Sequence, residues 1–190
     1  MDDIAGIIFS ILLGIGLAAA VGFRIFVPLF FLSIAAYFKL IPLNESWEWA
    51  GSFLAIVILG VATLVEILAY FIPFVDNLLD TIAVPLAAMA GTAVMLATMV
   101  AVDPVITWTL AIIAGGGTAV AIKGSTSSTR LASSATTAGI GNPVIAAVET
   151  VGAIAMSITA LFFPILGIIF VVFIFWSIFK LLKVVRTKIN

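Results

Sequence analysis

Ten residues of this chain could do chemistry, and most are ionisable groups set in a strongly apolar sequence. Glu66 and Glu149 interrupt uncharged runs, Arg24 separates two such runs, and Asp76, Asp80, Lys123 and Arg130 fall in or beside short connections. A charge at the centre of a membrane span costs roughly 2.5 to 3.5 kcal/mol even on a lenient insertion scale, so such residues face the bundle interior, pair with each other or line a solute path. The competing account makes them interhelical salt bridges that only pin the fold. Asp76 and Asp80 are four residues apart and share one helix face, where two carboxylates can bind a cation, hold one proton between them, or simply suit the positive end of a helix. Lys123 and Arg130 flank Ser125, Thr126, Ser127, Ser128 and Thr129, which places neutral donors between two fixed positive charges. An anionic head group or oxyanion is bound by that chemistry. Asn142, at the end of the same polar stretch, completes the set with Glu149 downstream.

The elements that must position these groups follow from composition. The chain has 190 residues, 64% hydrophobic and 9% charged, with a mean hydropathy of +1.39, whereas soluble domains carry about a quarter charged residues. Lipid is the expected solvent, and the whole chain, 1–190, reads as one transmembrane domain. A net charge of -1 gives nucleic acid no electrostatic footprint. The absence of cysteine and histidine removes disulfides, thiol chemistry and the usual haem and zinc ligands, and no cofactor or metal is expected. Met1-Asp2-Asp3 lacks the basic start of a secretory signal, so the first apolar run reads as a retained span.

Uncharged runs map the spans: 4–23, 25–38, 49–71 (holding Glu66), 81–102, 105–122, 143–162 (holding Glu149) and 164–179. The fold class is therefore an all-α polytopic transmembrane helix bundle of six or seven spans, with seven preferred and 25–38 either crossing or re-entering. Pro73 breaks the chain before one or two helical turns around Asp76 and Asp80, and Asp103-Pro104 is a tight turn. Residues 123–142 are rich in Gly, Ser and Thr, too polar for lipid and too poor in charge for a solvated loop. They read as a helix break or re-entrant segment, either buried or lining a pore. With seven crossings and the N-terminus outside, Arg24, Lys123, Arg130, Lys180, Lys183, Arg186 and Lys188 all fall inside and only Lys39 outside. The positive-inside rule thus favours seven spans and a cytoplasmic C-terminus. A weak internal repeat is expected from Gly16–Gly22 laid on Gly117–Lys123.

Gly22-Phe23-Arg24 before Val27-Pro28-Leu29, Val65-Glu66 leading to Ile72-Pro73-Phe74-Val75-Asp76 and Leu79-Asp80, and then Pro85-Leu86-Ala87, together resemble the bacterial membrane family known as domain of unknown function 4126. Lys123-Gly124-Ser125-Thr126 leading to Thr129-Arg130, then Asn142-Pro143 leading to Glu149, resemble its later motif, with a Ser/Thr run two residues longer before the arginine. The resemblance covers nearly the whole chain. It implies membrane location and supports the same site residues, but it supplies no activity.

Three functions are expected from the residues. The first is a transporter or flippase for an anionic or lipid-like solute, with Arg24, Lys123 and Arg130 attracting charge and Glu66 or Glu149 exchanging protons. The second is a cation channel built from oligomeric subunits, with Glu66, Asp76, Asp80 and Glu149 as the attracting ring. The third is a non-transporting scaffold or assembly protein held by small-residue packing. Catalysis is not expected. The partners are the bilayer and an ion, small solute or lipid head group, and a homo-oligomer is compatible with each reading.

Overall fold

The computed structural model describes residues 2–100 and 102–189, with side chains at all of these except 2, 3, 73, 74, 77, 181, 182 and 184–189. Among the described residues the fold is helical throughout, without a strand. The helices are α1 (Asp2–Phe23), α2 (Phe26–Tyr37), α3 (Phe53–Ala69), α4 (Pro73–Thr98), α5 (Pro104–Leu110), α6 (Gly117–Thr137), α7 (Asn142–Phe162) and α8 (Pro164–Ile189). A 3₁₀ helix, Glu45–Gly51, precedes α3, and a π-helical stretch, Ala111–Gly116, joins α5 to α6 without a break.

Prolines set several starts, because a missing N–H costs nothing in a first helical turn. Pro73, Pro104 and Pro164 begin α4, α5 and α8, and Pro143 follows Asn142 at the start of α7. Asp103 caps α5 by accepting from the amides of Val105 at 2.9 Å and Ile106 at 3.4 Å, so the expected turn there is present. Ser52 caps α3 through the amide of Ala55 at 3.1 Å.

α1 is the central helix and packs against α4, α6, α7 and α8, while α3 leans chiefly on α2. Small residues make the close crossings, as expected where no hydrophobic force drives helix association in lipid. A Cβ on Gly115 would lie 2.6 Å from the carbonyl oxygen of Gly91, so glycine alone fits that α4 crossing. The two segments expected to form a repeat lie side by side, since a Cβ on Gly22 would come within 2.5 Å of the Cβ of Ile122.

Two expectations need correcting. Residues 123–142 are not a helix break: α6 continues to Thr137, and the chain turns only afterwards, with Ala138 and Gly139 at φ 52 and 85. The reason is visible in the hydroxyls. Ser125, Ser128, Thr129 and Thr136 donate to the carbonyl four residues back, and Thr126 donates three back. Side chains that satisfy themselves on their own helix impose no break. The second correction concerns the turns around Asp76 and Asp80, which are the first turns of α4 itself rather than a separate element.

Ile4–Phe23, Leu78–Thr98, Pro104–Thr137 and Asn142–Phe162 are each long and apolar enough to cross a membrane. The 3₁₀ helix and α3 form a fifth candidate if their 68° bend lies within one span. Phe26–Tyr37 and Pro164–Lys180 are shorter apolar helices. The outward-facing apolar surface of α3, including Leu54, Ile58, Val61 and Leu68, suits insertion in lipid. Of the residues that entered the orientation count, Arg186 and Lys188 lie outside the described side chains, as do Asp2 and Asp3.

Candidate functional site

The tight turn between α1 and α2 contains only Arg24 and Ile25, and it leaves the first amides of α2 without partners. Glu66, near the end of α3, supplies them. Its Oε1 accepts from the Ile25 amide at 2.8 Å and its Oε2 from the Phe26 amide at 2.9 Å. A carboxylate at a helix start also meets the favourable end of the dipole. Lys123, from the second turn of α6, does the complementary job by donating from Nζ to the Phe23 carbonyl at 3.3 Å, at the end of α1.

Arg24 is wholly buried. Its Nη2 donates to the Ala146 carbonyl at 2.8 Å and its Nε to Thr150 Oγ1 at 3.1 Å. The same Nη2 lies 3.7 Å from Glu149 Oε2. Arg130 on α6 is the hub: it donates from Nε to Glu149 Oε1 at 3.1 Å, from Nη2 to Glu149 Oε2, and from Nη1 to Asp76 Oδ1. Asp76 Oδ2 accepts from Asn142 Nδ2 at 2.9 Å, and that amide also donates to Ser134 Oγ at 3.0 Å. Asp80 is more loosely held, with Oδ2 3.9 Å from Arg130 Nε.

Tyr70, immediately after α3, gathers the cations. Cζ of Arg24 lies 4.0 Å from its ring centroid, Cζ of Arg130 4.5 Å and Nζ of Lys123 5.4 Å. A buried ring of this kind offers a negative face where water is excluded.

The structure therefore brings together Arg24, Glu66, Asp76, Asp80, Lys123, Arg130, Asn142 and Glu149 from four helices and the α1–α2 turn. Ser125 and Thr126 are not part of the cluster's bonding. Their hydroxyls, like those of Ser128 and Thr129, are committed to carbonyls of their own helix, so of the row of donors expected between Lys123 and Arg130 only Ser127 is without a partner among the described residues. Tyr70, Thr150 and Ser134 were not anticipated. A signal existed for Tyr70, which lies four residues after Glu66 and so on the same helical face.

Three cations oppose four carboxylates in the cluster, leaving one negative charge in excess. Two cavities adjoin it. A polar one of about 230 Å³ is bounded by Asp80, Thr81, Ser127, Arg130 and Leu131. An apolar one of about 400 Å³ opens between α3 and α4, with Ile58, Val61, Val65, Ala83 and Leu86 in its walls and Glu66 and Tyr70 in its lining. Among the described residues no group of three or more acidic side chains is arranged to hold a metal ion.

An all-helical, membrane-type protein with a buried cluster of opposite charges is the class that fold and site define. Its sequence matches Domain of unknown function (DUF4126) over residues 11–184, so the chain belongs to that family. Neither curated proteins nor solved structures gave a match.

Proposed function

We propose that this protein is a small membrane transporter or flippase for a lipid-like or anionic solute, coupled to protons through its buried carboxylates. The observation that carries the reading is the apolar cavity of about 400 Å³ that reaches Glu66 and Tyr70 at the charged cluster. An amphiphile needs that combination: an apolar tail in a slot facing lipid, and a head group beside fixed charges. Lipid-like cargo fits better than a free anion, because Arg24 and Arg130 are already committed to carboxylates.

In the same proposal all seven apolar segments cross the inner membrane of a bacterium, the C-terminus is cytoplasmic and the N-terminus outside. The basic bias supports it, with seven of eight Lys and Arg residues on one side. α2 has 12 residues, about 18 Å of helix against about 30 Å of hydrocarbon, so its crossing needs local thinning or its flanking turns. The parallel repeat, Gly16–Gly22 on Gly117–Lys123, belongs to this reading too, supported by the Gly-x-Ala-x-Ala spacing that the two segments share.

A cation channel of several copies is the second reading, favoured by the excess negative charge. Liposomes holding the purified chain, with a labelled phospholipid, a pH dye and a potential dye, separate the two. Lipid movement abolished by Arg130→Ala and by filling the cavity with Ala62→Phe is the expected result. Potential-driven current without lipid movement supports the channel. No flux of any kind, in wild type as in empty liposomes, leaves the scaffold account standing.

A further inference from the structure

We propose that Asp80, at the polar cavity between α4 and α6, is the one carboxylate of the cluster that takes up and releases a proton, and that Glu66 and Glu149 do not. The proposal names the coupling group of the transport reading and rests on it for what the proton drives, but not for the binding of the proton.

The four carboxylates differ in what their oxygens already do. Glu66 receives one backbone amide on each oxygen. Glu149 receives Arg130 on both, and Asp76 receives Arg130 on one and Asn142 on the other. In each of these the charged form is held by a donor on both oxygens, and a proton would weaken those bonds. Asp80 is the exception, because its Oδ1 is buried without a hydrogen-bond partner among the described residues and its Oδ2 makes only the 3.9 Å approach to Arg130. A buried, unpartnered carboxylate oxygen is costly as an anion, and a proton there also cancels the cluster's surplus charge.

The setting favours a proton over a metal ion. Asp80 and Ser127, whose Oγ is likewise buried without a partner, line the cavity of about 230 Å³ together with Arg130. A metal ion wants several oxygen ligands and no cation beside it, whereas a proton needs one lone pair. The charged groups around Asp80 come from each neighbouring element: Asp76 on α4, Lys123 and Arg130 on α6, Glu149 on α7 and Tyr70 after α3. With Asp80 neutral, three carboxylates balance three cations. At 14% exposure its side chain is also the most accessible of the ion-paired carboxylates.

The test is infrared difference spectroscopy on the full chain in liposomes, taken between alkaline and acid pH. Wild type should gain a band from a protonated buried carboxyl, Asp80→Asn should lose that band while staying folded, and Asp80→Glu should keep it at a shifted pH. An Asp80→Asn protein that keeps the band overturns the assignment. If Asp80→Asn does not fold, aspartate-specific ¹³C labelling of wild type decides: the band must shift, and a band that stays put belongs to glutamate and defeats the proposal. Replacing choline by sodium should leave the band untouched; its loss in sodium would make the site a metal-ion site instead. Because this readout is proton binding at equilibrium, it can succeed where the flux assay fails, and the reverse.

Discussion

Arg130 grips Glu149 through two parallel bonds, Nε to Oε1 at 3.1 Å and Nη2 to Oε2 at 2.5 Å, and reaches Asp76 with its remaining terminal nitrogen. Only a planar fork can serve both carboxylates at once. Arg130→Lys should therefore destabilise the protein, and Arg130→Ala should cost more, about 3 to 5 kcal/mol, the usual penalty for stranding a buried partner. Thermal unfolding in detergent measures both. An Arg130→Lys protein melting with wild type would show that the second carboxylate contributes nothing.

Glu66 is predicted to act as the cap of α2. Glu66→Ala strands two buried amides and should cost about 1 to 3 kcal/mol for each one that finds no water. Glu66→Gln, which keeps one acceptor oxygen, should fall between. Hydrogen exchange at the Ile25 and Phe26 amides locates the effect, and unchanged protection there would refute the capping role.

Tyr70 should matter as a ring rather than as a hydroxyl. Tyr70→Phe keeps the face near Arg24, Arg130 and Lys123 and should be close to neutral. Tyr70→Leu removes it, and a desolvated contact of this kind is worth about 2 kcal/mol. Equal melting temperatures for the Phe and Leu variants would remove cation–π attraction from the account.

Two glycines of one long helix should respond oppositely to alanine. At Gly115 the new methyl meets the Gly91 carbonyl oxygen at 2.6 Å, and overpacking of this sort costs about 1 to 3 kcal/mol. At Gly124 nothing lies within 4 Å. There alanine should stabilise α6 by up to about 1 kcal/mol through its better helix propensity. Parallel melting curves of the two variants check both signs.

Much of the bundle was legible in the sequence because apolar runs and prolines are local signals. The starts at Pro73, Pro104, Pro143 and Pro164 could be read without knowing any neighbour, and the family was readable from Gly22-Phe23-Arg24 through Glu149. Residues 123–137 hide their helix in the sequence because a polar composition does not reveal that most of the hydroxyls are satisfied by a carbonyl one turn back. The membership of the charged cluster could be guessed from rarity in an apolar chain. Its internal assignments could not, since whether Glu66 meets an amide or an arginine depends on how α3 sits beside the α1–α2 turn.

The partners in the cluster are also separated in time. Arg24 is synthesised long before Glu149, its nearest carboxylate, and Arg130 has Asp76 behind it but not yet α7. Until residue 149 has been added, Arg24 lacks its nearest carboxylate and Arg130 lacks the partner it holds by two bonds, so the contacts that tie the α1–α2 turn and α6 into the cluster form last. The first helices are thus provisional, and α7 is the segment whose arrival commits them.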